Sequence, residues 1–167
     1  FSSRVGELFA QKYKDTDIDV IAAPALGGII LSQWTAYHLS KIKNKEILGV
    51  YTEKTPDNDQ IFKRGYESII KNKNILVLED LTTTGGSVKK VVDSVRQTGG
   101  NVLAVCVMVN RDPENITSES VEAPFSALST LKAESFTPEE CPLCKKNIPI
   151  NTTVGHGAKF LASLKKA

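Results

Sequence analysis

Through Val109, apolar positions fall into two alternating patterns. Short runs rich in β-branched residues, Ile18–Ala23, Glu46–Tyr51, Asn74–Leu78 and Asn101–Val109, read as strands. Two of the segments between them carry a helical period. Ile30, Leu31, Trp34 and His38 fall near one face of Ile29–Lys41, and Val88, Val91, Val92 and Val95 recur at i, i+3, i+4 and i+7 before Gly99-Gly100 ends that helix. Ser3–Lys14 reads as an amphipathic helix ahead of the first strand. Beyond Val109, the pattern predicts a polar loop over Asn110–Ser120, a strand over Leu128–Phe136 and a terminal helix over Gly157–Lys166.

Strand, small-residue turn and helix in succession build a parallel sheet, with right-handed crossovers that gather the functional loops at the carboxyl ends of the strands. Residues 24–28, 52–66 and 79–87 should therefore share one edge. The strand at Glu46–Tyr51 is the exception, because no helix follows it. Thr52–Tyr66, polar and holding Pro56, Asp57, Asn58, Asp59 and Gly65, reads instead as a mobile functional loop.

Composition narrows the class. A chain of 167 residues that is 41% hydrophobic and 24% charged suits a single globular domain over residues 1–167, with 137–167 as a carboxyl-terminal appendage. Lys and Arg number 21 against 19 Asp and Glu, a net charge of +2, so the basic excess of a nucleic-acid-coating protein is missing and any anion site must be local. No apolar run approaches a membrane span and no charged, then apolar, leader opens the chain; a cytoplasmic protein without a membrane partner is expected. Three cysteines are an odd number and argue against a disulfide scaffold. Cys106 lies in an apolar run and reads as a buried thiol. Cys141 and Cys144 form a C-x-x-C, half of the four ligands of a structural zinc, with His156 near enough in sequence to be a third; a turn bearing two thiols is the commoner outcome.

The chemistry concentrates in Glu79-Asp80-Leu81-Thr82-Thr83-Thr84-Gly85-Gly86-Ser87. Two acids end a buried strand, where carboxylates persist only if they reach solvent, a partner or a ligand. The hydroxyl and glycine loop behind them runs into a helix amino terminus, which offers backbone N–H groups and the positive end of the helix dipole to a phosphate. Acids beside such a cradle would repel a bare phosphate but accept hydrogen bonds from the vicinal hydroxyls of a ribose. Together they describe a ribose phosphate held at both ends. No G-x4-G-K-[ST] and no G-x-G-x-x-G occurs.

This segment resembles the phosphoribosyl diphosphate (PRPP) motif of type I phosphoribosyltransferases, and the resemblance, closest to orotate phosphoribosyltransferases, runs from about Ile18 to Arg111. It implies an α/β fold with an open, mostly parallel twisted sheet flanked by helices and a flexible catalytic loop. It also implies Mg2+-dependent transfer of phosphoribosyl from PRPP to a base, with orotate preferred, by a homodimer. In that likeness Thr82, Thr83, Thr84, Gly85, Gly86 and Ser87 take the 5-phosphate, Glu79 and Asp80 the ribose hydroxyls, and Ala25, Leu26, Gly27 and Gly28 the pyrophosphate. The magnesium ion would be held by substrate and water. Thr52–Tyr66 resembles the catalytic loop, in which family members carry an Arg-Lys pair where Glu53-Lys54 stands here. Lys54 becomes the candidate that stabilises departing pyrophosphate, with Lys63 and Arg64 as helpers or replacements. Thr83 and Arg111 would face the base, the guanidinium fork suiting a carboxylate, although a salt bridge of Arg111 with Asp112 is the other reading. Orotate enzymes also hold the base with an amino-terminal Lys and aromatic segment; either Phe1-Ser2-Ser3 is the remnant of that segment, or the base is bound differently. A purine or other base enzyme, or a PRPP-sensing regulatory protein, remains an alternative of the same fold. His38 reads as a core or interface histidine.

Overall fold

Alternate residues of the central strands enter two separate cores. The computed structural model describes residues 1–134 and 136–164, which divide into two units, Phe1–Ala133 and Glu134–Ala167. In chain order the first unit holds α1 (Ser2–Lys12), β1 (Val20–Pro24), α2 (Gly27–Lys43), β2 (Leu48–Lys54), β3 (Gln60–Phe62), α3 (Tyr66–Ile70), β4 (Asn74–Thr82), α4 (Gly86–Gln97), β5 (Asn101–Asn110) and β6 (Phe125–Thr130). Val20 and Ala22 of β1 join the buried α4 valines on one side of the sheet, while Ile21 and Ala23 join Phe9, Leu31 and Leu39 of α1 and α2 on the other. All four valines of the predicted α4 stripe are fully buried, each contributing about 1.5–3 kcal/mol of transfer free energy.

The six strands lie in the order β3-β2-β1-β4-β5-β6, parallel except for β3 against β2. From β1 the chain moves outward to β2, and from β4 it moves the opposite way to β5. The carboxyl ends of β1 and β4 thus flank the point where the winding reverses, the usual place for a ligand crevice. Their pairing ends at Ala22 and Val77, yet β4 continues beside β5 as far as Thr82 opposite Asn110. The loops after β1 and β4 meet beyond the end of that pairing.

Three sequence expectations change. Thr52–Tyr66 is not an irregular loop: Thr52–Lys54 pairs antiparallel with Gln60–Phe62, and α3 follows. Its polar composition hid an alternation in which Gln60 and Phe62 are buried and Ile61 is exposed, with the Thr52 hydroxyl donating to Gln60 Oε1 at 2.7 Å in the interior. The last strand of the sheet is Phe125–Thr130 rather than Leu128–Phe136, since Ser126, Ser129 and Thr130 masked an edge strand whose Phe125 and Ala127 pack on the core; Ser135 lies outside the described residues. The loop from Asn110 to Ser120 carries Asn110 as the end of β5 and buries Ile116.

The second unit holds α5 (Pro142–Lys145) and α6 (Gly157–Leu164), neither of which buries a residue. The predicted helix to Lys166 is described as far as Leu164. Among the described residues no helix is long and apolar enough to cross a membrane.

Candidate active site

Glu79 and Asp80 sit in the last third of β4, with their carboxyl groups close enough to interact. Glu79 is buried, and burial, with the adjacent Asp80 charge and a hydrogen bond to Asp80 adding to it, pushes its carboxyl up to about 8. Asp80 is half-buried and accepts the Leu81 N–H at 2.7 Å. Its carboxylate also meets the loop after β1: a Cβ built on Gly27 would strike Asp80 Oδ2 and stand 3.0 Å from Asp80 Cγ. The absence of a side chain at Gly27 is what lets the two loops touch.

The loop after β1 is pinned from the other side. The Ala25 N–H donates to the Thr52 carbonyl of β2 at 2.9 Å, the Ala25–Leu26 peptide is cis, and Leu26 is exposed at the start of α2. Gly28 packs so closely that a Cβ would lie 2.6 Å from Ala23 Cβ.

In the Thr-Gly loop, Thr82 is buried and its hydroxyl accepts the Gly85 N–H at 3.0 Å, so this side chain shapes the loop from within. Gly85 adopts φ +74 and faces Ile116, whose Cδ1 would be 3.3 Å from a Cβ there; strain and crowding both demand glycine. No side chain caps α4 at Gly85 and no acid stands in its first turn. Half-buried Thr83 and exposed Thr84, Gly86 and Ser87 surround that open positive helix end.

Arg111 follows β5, and its main-chain N–H donates to the Thr82 carbonyl at 2.9 Å. The half-buried Arg111 is therefore one hydrogen bond from the phosphate loop. Asp112 does not engage it: the Asp112 carboxylate accepts from Asn115 Nδ2 at 2.9 and 3.0 Å. Asn110 is a residue that the sequence reading missed. Buried at 3% exposure, it donates to the Ile116 carbonyl at 3.2 Å and accepts the Asp112 N–H at 3.0 Å, bending the chain around Arg111 while holding Ile116 under Gly85. A polar side chain closing an apolar run just before the arginine was the available signal.

The three candidate cations of the hairpin separate. Glu53 accepts Arg64 at 2.8 Å and Lys63 at 3.4 Å, and the Arg64 hydrogen bond holds its carboxyl below the usual range. Lys54 stands outside this cluster, exposed at the end of β2 and two residues beyond the Thr52 carbonyl that anchors Ala25. Lys90 of α4 donates to the Asn58 carbonyl at the hairpin tip. His38 lies away from these loops, hydrogen-bonded to Ser3 Oγ at 3.0 Å and stacked on Trp34. Cys141, Cys144 and His156 belong to the second unit, and no group of three or more His, Cys, Asp or Glu side chains is arranged around an ion site among the described residues.

An acid pair, an uncapped helix start and a glycine-lined turn come together at the switch point of an open α/β sheet. Residues 1–133 match the phosphoribosyl transferase domain family, and the chain belongs to it. It is 39% identical over 141 residues to an orotate phosphoribosyltransferase of Caldanaerobacter subterraneus subsp. tengcongensis, covering 84% of this chain and 68% of that one. A Thermoanaerobacter orotate phosphoribosyltransferase is 37% identical over 150 residues, 90% of this chain and 73% of its own. Among solved structures, Mycobacterium tuberculosis orotate phosphoribosyltransferase in complex with PRPP shares the fold at a TM-score of 0.61 and 22% identity, over 78% of this chain and 73% of its own. Adenine phosphoribosyltransferase from Thermoanaerobacter pseudethanolicus does so at 0.62 and 16%, over 78% and 80%.

Proposed function

We propose that this protein transfers the 5-phosphoribosyl group of PRPP to orotate, giving orotidine monophosphate and pyrophosphate. The observation that carries the reading is the meeting of Gly27 with Asp80 beside the uncapped start of α4. One crevice then offers carboxylates to ribose hydroxyls, amides and hydroxyls of 82–87 to the 5-phosphate, and the main chain of 25–28 to the diphosphate. The named relatives support orotate as the base.

Cleavage of the bond between C1 and the diphosphate builds positive charge on the ribose and negative charge on the leaving group. Rate enhancement therefore comes from fixed dipoles and cations rather than from a nucleophilic side chain. Lys54 balances the departing pyrophosphate, while Lys63 and Arg64 are held by Glu53. The hairpin 52–66 closes over the crevice and excludes water from the reacting centre. Arg111 pairs with the carboxylate of the base. A Mg2+ ion would be held by substrate oxygens and water, with the carboxylates of Glu79 and Asp80 next to the ribose hydroxyls rather than as direct ligands. When bound, the ion neutralises charge on the diphosphate.

The partner is a second copy of the chain, met through α2, where Ile30, Trp34 and Tyr37 are exposed beside Leu26. Three free cysteines suit a reducing, cytoplasmic location. The test is product formation from PRPP and Mg2+ with orotate and a panel of purines and pyrimidines. Consumption of orotate with matching pyrophosphate release is expected. Turnover of a purine alone would overturn the base assignment, and PRPP binding without turnover of any base would make the protein a metabolite sensor.

A further inference from the structure

The second unit carries two cysteines that the transfer reaction does not use. Cys141 caps α5, and its Sγ accepts the Cys144 N–H at 3.5 Å. The turn around them is held at both ends: the Cys141 N–H donates to the Thr137 carbonyl at 2.9 Å, and the Cys141 carbonyl accepts the Lys145 N–H at 3.1 Å. Pro142 at the first helical position sets the backbone of that turn. The two thiols stand three residues apart on one helical turn, hydrogen-bonded to each other, with Cys141 half-buried and Cys144 exposed.

We propose that Cys141 and Cys144 form a thiol–disulfide exchange site in which Cys141 attacks, Cys144 resolves, and the oxidant is a small-molecule disulfide. The Cys141 thiolate attacks one sulfur of the disulfide, forming a mixed disulfide and expelling one thiolate, which takes up a proton. Cys144 then loses its proton and attacks Cys141 Sγ, closing the Cys141–Cys144 bond and expelling the second thiolate. The protein gives up two electrons and two protons; the small disulfide becomes two thiols.

The division of labour follows from the hydrogen bonds. The Cys144 N–H holds the Cys141 thiol below its usual range, whereas the bond to Cys141 holds the Cys144 thiol above it. A tetrahedral metal needs two further ligands, and the described residues assemble no third. Cys106 is a built-in contrast: fully buried, with burial raising its thiol and Ser126 Oγ donating to its Sγ at 3.3 Å.

The experiment treats the reduced full-length protein with oxidised glutathione, without PRPP, and follows it by intact and peptide mass spectrometry. Wild type should end as an internal Cys141–Cys144 disulfide. Cys144→Ser should accumulate glutathione at Cys141, because the resolving thiol is gone. Cys141→Ser should react at least about tenfold more slowly at Cys144. Equal rates in the two variants, a stable glutathione adduct on wild type, or zinc retained by both thiols through purification would overturn the proposal. None of these readouts depends on the transferase reading.

Discussion

The Asp80 carboxylate occupies the space where a side chain on Gly27 would begin, with Asp80 Cγ 3.0 Å from that point. This contact joins the ends of β1 and β4 beyond the last residues at which those strands pair. Gly27→Ala should force Asp80 to turn away, at a cost of about 1–3 kcal/mol to the site, and so weaken PRPP binding roughly tenfold to hundredfold. Because Asp80 is a half-buried side chain that can rotate, the melting temperature should move little. Calorimetric titration with PRPP and Mg2+ beside a thermal melt checks both halves.

Glu79 makes stability depend on pH. Its carboxyl is raised from 4.5 to about 8 in the folded chain, so the folded state favours the protonated form. That contribution is complete below about 4.5 and is lost as pH rises toward about 8. Between about pH 6 and about pH 8, wild type should lose on the order of 2 kcal/mol relative to Glu79→Gln. Urea unfolding at the two pH values measures the difference. PRPP hydroxyls need the ionised acid, so wild-type affinity should rise over the same window, with no such rise in Glu79→Gln.

Lys54 and its neighbours should behave differently. Lys54→Ala should lower kcat by about tenfold or more with a smaller change in the KM for PRPP, as expected of a group acting on the leaving diphosphate. Lys63→Ala and Arg64→Ala remove charges already paired with Glu53 and should each change kcat by less. Steady-state kinetics of the three variants decides whether Lys54 holds the role.

Arg111 can be tested against the base alone. Arg111→Ala should raise the KM for orotate by about tenfold to hundredfold, the loss of a charge-assisted pair, and leave the KM for PRPP nearly unchanged. An equal effect on both substrates would mean that its main-chain bond to Thr82 had been disturbed.

The α2 face should govern assembly. Tyr37 is 47% exposed and carries Lys41 Nζ 4.4 Å above its ring. Tyr37→Glu places a charge in the proposed contact and should shift sedimentation from dimer to monomer without altering far-ultraviolet circular dichroism.

The helix over 86–97 and the strands at its sides were legible because valine spacing and β-branched runs are local signals. The site was half legible. The acids, the threonines, the glycines and the start of α4 are contiguous, so their combined chemistry could be read directly. The hairpin could not, since buried Gln60 is satisfied only because the Thr52 hydroxyl, two residues along the facing strand from its register partner Lys54, donates to its Oε1. Likewise, nothing in the order of residues says that the Thr82 hydroxyl turns inward to Gly85 while its neighbours stay outside.

Residue order alone was enough for the local chemistry: an acid pair joined to a helix start with free N–H groups, and the alternation that makes an α/β sheet. It took the folded chain to bring Gly27 against Asp80, Arg111 beside Thr82, Asn110 onto Ile116 beneath Gly85, and Lys63 and Arg64 onto Glu53. Backbone propensity and capping act over a few neighbouring residues. Contacts between distant segments depend on strand order and pairing register, which the whole core selects together.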